Sequence, residues 1–246
     1  MKKYLLLLLT FSVLGAGEIT IAVAANVSYA IDALKAEFAK NHPDTDVRVI
    51  LGSSGKLTAQ IKNGAPYGLF MSADMAYPEA LYREGLATSK PQHYARGALA
   101  LFTTRTFDLG EGIRLLESDS IKRIAIANPK TAPYGKAAME AIKKSGLYEK
   151  VKSKFVYGES ISQTVAYAVT AADIGLIAAS SLYSPHMKQY EKGVHWTLVD
   201  PSLYTPIEQG IVLLKKGAGN LEYKAFYDFI LSPQARKIFK KYGYLE

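Results

Sequence analysis

The chain has 246 residues, 49% hydrophobic and 21% charged, with a mean hydropathy of +0.01 and no cysteine. That length suits one large domain or two lobes, and the apolar content excludes a disordered chain. The lack of cysteine excludes a disulfide framework, a thiolate zinc site, an iron–sulfur cluster, a cysteine nucleophile and lipid attachment at an N-terminal cysteine.

The first segment reads as an address. Lys2 and Lys3 precede an apolar run from Tyr4 to Leu14, and Gly15-Ala16-Gly17 supplies the small residues of a cleavage site. A run of about eleven residues is short of the roughly 20 that cross a bilayer. Residues 1–17 are therefore expected to be a signal peptide, cleaved near Gly17. Without Lys2 and Lys3, 28 basic and 22 acidic residues leave +6. That charge admits nucleic acid, a membrane surface or a small anion. Its lysines, such as Lys143, Lys150 and Lys237, fall on predicted helix surfaces and do not interleave with aromatics. A solvated basic face fits better than a nucleic-acid groove.

Strands then alternate with helices. Glu18–Ala24 reads as a buried strand, followed by Ala25-Asn26-Val27-Ser28, where Asn or Ser can cap a helix marked by Ala30, Ile31, Leu34 and Phe38. Asp46–Leu51 is a second strand, ending in Gly52-Ser53-Ser54-Gly55 before a short helix with Leu57 and Ile61. Tyr67–Met71 is a third, followed by a helix through Pro78–Glu84. This order implies a parallel sheet with helices on both faces. The pattern restarts with strands at Ala98–Thr103, Arg123–Ala127, Phe155–Tyr157, Ile174–Ala178 and Gln209–Leu214. Helices are expected to open at Pro133-Tyr134-Gly135 and beyond Ser160, and two more over Leu221–Leu231 and Pro233–Tyr242. Two α/β lobes joined by more than one crossover fit this layout.

Four strand-to-helix turns expose amides or small polar residues: 25–28, 52–55, 132–135 and 159–162. Such turns lie at the carboxyl edge of a parallel sheet, where ligands bind, and each offers the free N–H groups of a helix start. Singly each reads as ordinary capping; converging, they would make an anion site of neutral donors. Other chemistries find little support. The four histidines form no HExxH, and Gly52–Lys56 lacks the spacing of a phosphate-binding loop. Neither serine of that turn sits in GxSxG. Glu159 and Asp173 could be an acid/base pair, but capping or ion pairing is the plainer reading. The sequence is not expected to encode an enzyme.

Six stretches carry a family resemblance: AAN (24–26), GSSGKLTAQI (52–61), GAPYGLFMSAD (64–74), NPKTAPYGKAA (128–138), GESISQTVAYAVTAADIGLIAAS (158–180) and FYDFILSPQARKIFKKYGY (226–244). Together they resemble the periplasmic molybdate-binding proteins, solute receptors of ABC transporters with the type II periplasmic-binding architecture. The resemblance implies two Rossmann-like lobes, 18–97 plus 205–246 and 98–204, that close on molybdate or tungstate. It implies no cofactor, a permease of the inner membrane as partner, a monomer in the periplasm and no role in binding nucleic acid. Asn26 and Ser54 would supply side-chain donors, with Ser53 the near alternative to Ser54. Tyr134 and Ile161 would act through their main-chain N–H, and no metal would be ligated directly. Some members use a tyrosine hydroxyl where this chain has Ala178, so that donor is expected to be missing or replaced. A receptor for sulfate, thiosulfate or phosphate is the alternative within the same fold, and an exported enzyme reusing it the alternative outside.

Overall fold

A computed structural model describes residues 17–245. The expected signal peptide, Gly17 excepted, lies outside the described residues.

Strands that are apolar throughout become the buried centre of each sheet, because helices cover both of their faces. The first sheet contains β1 (Gly17–Ala24), β2 (Thr45–Gly52), β3 (Leu69–Met71), β4 (Gln92–Gly97) and β10 (Ile207–Leu213) in the order β2-β1-β3-β10-β4. The second contains β5 (Leu99–Phe102), β6 (Ile124–Ala127), β7 (Phe155–Gly158), β8 (Ile174–Ala178) and β9 (Trp196–Leu198) in the order β7-β6-β8-β5-β9. In each sheet four of the five strands run the same way, three of them paired side by side. The fourth in order, β10 or β5, runs antiparallel to both its neighbours. The wholly parallel sheet expected from the alternation is thus corrected to a mixed one.

Those two antiparallel strands adjoin the crossings between sheets. Only Ala98 separates β4 from β5, and residues 199–206 lead from β9 back to β10. The crossings lie side by side: Val199 N–H donates to the Leu99 carbonyl at 2.9 Å, and Ile207 pairs with Gly97.

The helices are α1 (Ile31–Ala39), α2 (Ser54–Lys62), α3 (Ala76–Arg83), α4 (Pro133–Lys144), α5 (Tyr148–Val151), α6 (Ile161–Thr170), α7 (Leu221–Ile230) and α8 (Pro233–Lys241). Period-two alternation divides β1 between two cores. Ile19, Ile21 and Val23 join Leu34, Phe38, Phe226 and Phe239 of α1, α7 and α8 on one face. Ala22 joins Leu57, Ile61 and Leu81 of α2 and α3 on the other. The second sheet is likewise covered by α4 on one side and α6 on the other. Full burial of a Leu, Ile or Phe is worth about 1.5–3 kcal/mol each.

The expected cap at 25–28 is not formed. Ala25–Tyr29 is a 3-10 turn, and α1 starts after Ala30 with no side-chain cap. No helix among the described residues is long and apolar enough to cross a membrane.

Candidate functional site

The carboxyl ends of β1 and β2 in the first sheet face those of β6 and β7 in the second across one small pocket. Asn26, Ser53, Ser54, Tyr134 and Ile161, the five residues expected at the turns, all line it, together with small residues such as Ala25, Ala73 and Ala132. No charged side chain is among the lining, and the space is about 190 Å3 with its mouth included.

The donors point inward for local reasons. Neither α2 nor α4 has a side-chain cap, and Pro133 opens α4 with no N–H of its own. Apart from Gly55, whose N–H goes to the Thr131 carbonyl, the first-turn amides that follow are left for a ligand, at the positive end of the helix dipole. α6 is capped differently: Ser160 Oγ accepts from Gln163 N at 3.3 Å, which still leaves the amide of Ile161. Gly135 lets α4 start hard against the end of β6, since a Cβ there would lie 2.2 Å from the Ala127 carbonyl oxygen.

Ser54 is fully buried, and its Oγ accepts from Ala73 N at 3.0 Å. With that acceptor role filled, its proton is free to donate elsewhere. Ser53 Oγ and Asn26 Oδ1 are buried with no partner in the chain. Orphaned buried polar atoms are uncommon in native proteins, and here two of them belong to residues of the same pocket. The Asn26 main chain and Nδ2 are well held. Its carbonyl accepts from Tyr244 Oη at 2.9 Å and Ser180 Oγ at 3.2 Å, while Nδ2 donates to Gln209 Oε1 at 2.9 Å and Tyr244 Oη at 3.0 Å. Ala178 is fully buried at the end of β8, and the first hydroxyl beyond it, that of Ser180, goes to Asn26. Gln209 and Tyr244 were not singled out in the sequence. The available signal was a lone amide heading the otherwise apolar run QGIVLL.

Contacts from the two sides meet around the pocket. Gly55 N–H donates to the Thr131 carbonyl at 2.9 Å, Ser162 Oγ donates to the Ala25 carbonyl at 2.8 Å, and Lys56 pairs with Glu159 at the exposed rim. At Gly55 the approach is close: a Cβ would lie 3.0 Å from the Thr131 backbone and 2.7 Å from Tyr77 Oη. Gly55→Val is therefore expected to hold the two sides apart. The measurable outcome is ligand affinity lowered more than tenfold, about 1.4 kcal/mol or more, with the melting temperature of the free protein nearly unchanged.

Glu159 and Asp173 do not form a pair. Glu159 engages Lys56, whereas Asp173 is buried and binds the backbone of Lys122 and Arg123 and the Arg105 side chain. Among the described residues, no group of three His, Asp or Glu side chains is placed to hold a metal ion. His42 stacks on Phe38 at 4.3 Å, and His195 Nδ1 accepts from Glu191 N.

Two sheets joined by two crossings, with a pocket of neutral donors between their carboxyl edges, define a two-lobed solute-binding protein. Residues 19–245 match the family described as bacterial extracellular solute-binding protein, and the chain belongs to that family. It is 39% identical over 232 residues to the molybdate-binding protein ModA of Rhodobacter capsulatus, covering 94% of this chain and 89% of that one. It is 37% identical over 233 residues to the molybdate-binding protein ModA of Azotobacter vinelandii, covering 93% and 90%. The solved structure of the Azotobacter vinelandii periplasmic molybdate-binding protein superposes with a TM-score of 0.85 at 30% identity, over 93% of this chain and 99% of that one. Proteins of this family bind solutes for transport and are not enzymes.

Proposed function

We propose that the chain binds molybdate or tungstate between its lobes, 18–97 plus 205–246 and 98–204, and delivers it unchanged to an ABC permease. It would act as a monomer in the periplasm after loss of residues 1–17. The observation that carries this reading is the buried Ser53 hydroxyl, without a partner in the chain, in a charge-free pocket beside the open starts of α2 and α4. The names of the relatives support the choice of ion.

The physics favours a dianion held without a cation. Each charge-assisted hydrogen bond is worth about 1.5–3 kcal/mol. About five to seven of them can exceed the −8 to −12 kcal/mol of a micromolar to nanomolar receptor, after desolvation and closure are subtracted. A ligand touching both lobes also stabilises the closed form, since only differential contacts shift such an equilibrium. Sulfate has the same charge and shape but shorter bonds, so cavity width would discriminate against it.

Isothermal titration of residues 18–246 with molybdate, tungstate, sulfate and phosphate tests the reading. One-to-one binding of the first two, with the others silent, is the expected result; sulfate or phosphate binding alone would replace the ligand, and silence with all four would remove the site. Ser54→Ala is expected to weaken molybdate by about 1–3 kcal/mol through loss of one donor in a dry pocket. Unchanged affinity would take Ser54 out of the site.

A further inference from the structure

Behind Asn26 lies a buried polar cluster that the pocket alone does not explain. Gln209, on β10, is fully buried, as is Asn26, and Tyr94, Tyr134 and Tyr244 around them are nearly so. The residues come from β4, β10, the start of α4 and the chain end beyond α8, so the cluster joins both sides of the crossing region. A bulge between Gln209 and Gly210 places Gln209 opposite Ala95 and Gly210 opposite His93, so Tyr94 is the extra residue. Bulges of this kind re-aim side chains.

The hydrogen bonds of this cluster admit two arrangements. As placed, Asn26 Nδ2 donates to Gln209 Oε1, and Gln209 Nε2 donates to Tyr134 Oη at 3.4 Å. Tyr94 Oη lies 2.7 Å from Gln209 Oε1 and 3.2 Å from the Ser72 carbonyl, and its single proton serves one of them at a time. This arrangement leaves Asn26 with an acceptor, Oδ1, and no partner for it. An unshielded acceptor repels a dianion. Turning both amides over keeps the heavy-atom positions and reverses the sense of the contacts made by Gln209. Tyr134 then donates to Gln209 Oε1, Gln209 Nε2 donates to Asn26 Oδ1 and Tyr94 Oη, and Tyr94 donates to the Ser72 carbonyl. Tyr244, with one proton, then donates either to the Asn26 carbonyl or to Asn26 Oδ1, so the turned arrangement gives up one of the two bonds it makes as placed. Asn26 Nδ2 now occupies the position that Oδ1 held and presents N–H groups.

We propose that Gln209 is a positioning residue of the site: its amide, held between Tyr94 and Tyr134, sets which end of the Asn26 amide is offered to the ligand. The proposal rests on the oxyanion reading of the pocket. It deepens that reading by making the preference for a fully deprotonated ion a property of a residue outside the pocket lining. With Gln209 Nε2 turned to Asn26, the site offers donors only; in the reverse sense it would offer an acceptor suited to a protonated oxyanion.

Gln209→Met and Gln209→Glu separate this role from packing. Methionine keeps the volume and removes both amide groups. In Gln209→Glu, the protonated carboxyl can still donate to Asn26 Oδ1, whereas the carboxylate can only accept and draws Asn26 Nδ2 away. The titratable groups bonded to Gln209 and Asn26 are the phenols of Tyr94, Tyr134 and Tyr244, all pushed upward chiefly by burial and so neutral between pH 6 and 8. Asp74, raised mainly by burial, bonds the Ser72 hydroxyl, and Glu208, Arg96 and His93 on the flanking strand positions lie at the surface.

Molybdate titrations at pH 6 and 8 are combined with the side-chain NH2 signal of Asn26 in a 15N spectrum, assigned by its loss in Asn26→Ser. The expected result is about tenfold weaker binding in Gln209→Met at an unchanged melting temperature. Gln209→Glu should be weaker still at pH 8 and recover at pH 6, and the Asn26 signal should shift on saturation in the wild type but not in Gln209→Glu at pH 8. Wild-type affinity in both folded variants, or an Asn26 signal that stays still when the wild type is saturated, would overturn the positioning role. Wild-type protein that ignores molybdate would overturn the oxyanion reading beneath it.

Discussion

Asn26→Asp is expected to lose molybdate binding by at least about 4 kcal/mol at pH 8, more than any other single change in the pocket. The substitution is isosteric, so packing is undisturbed. It places a carboxylate in a fully buried position whose other pocket neighbours carry no charge. One pair of like charges at about 4 Å repels by about 4 kcal/mol at an effective dielectric constant near 20, and a dianion doubles the term. Burial raises the pKa of such a carboxyl, so lowering the pH neutralises it and restores part of the affinity. Titration with molybdate at pH 6 and 8, with circular dichroism to show an intact fold, reads both effects. An affinity within tenfold of wild type at pH 8 would place Asn26 away from the ion.

The turns were legible in the sequence because each is a local event. Gly52-Ser53-Ser54-Gly55 and Ala132-Pro133-Tyr134-Gly135 carry their own stop and start signals, and the five residues expected there do meet at one pocket. The central strands were legible too, since IAIA of β6 and IGLIA of β8 are apolar on both faces. Strands β4 (QHYARG) and β9 (WTL) were not. Both lie at sheet edges, where one side has no strand partner and polar residues are tolerated, so their pattern is weak. The antiparallel course of β5 and β10 escaped notice because strand direction depends on where the chain crosses between sheets. Nothing within strands of four and seven residues records that.

The same distance argument separates the pocket from what supports it. Asn26 is 183 residues from Gln209 and 218 from Tyr244 in sequence. A buried glutamine heading an apolar strand was visible, but its partners were not. Local signals therefore say where N–H groups gather, while long-range packing says which way a side-chain amide faces. Specificity for one oxyanion over another depends on the second kind of information. That is why the proposed positioning role emerges only from the assembled fold.

Asp173 carries the largest expected effect on stability, and it lies apart from the ligand. The side chain caps the bend before β6: Oδ2 accepts from the N–H groups of Lys122 and Arg123, both at 2.7 Å, and Oδ1 pairs with Arg105 at 2.6 Å. Burial pushes its carboxyl up, but the two backbone donors and Arg105 outweigh that and hold it below the ordinary value. Asp173→Ala strands two partly buried N–H groups, each costing about 1–3 kcal/mol. The Arg105 side chain is 53% exposed, so its pairing adds little. A destabilisation of about 3 kcal/mol is expected in urea unfolding. Because the folded pKa is depressed, the ionic part of this stabilisation is fully present above the unfolded value near 3.9 and is lost as pH falls through the folded one. The difference between wild type and Asp173→Ala should thus be flat from pH 8 to 5 and narrow below pH 4. A gap that widens on acidification would mean the carboxyl is held above its ordinary value. Molybdate affinity of the folded variant should equal that of wild type, which separates this scaffold carboxylate from the acid/base role its chemistry allowed.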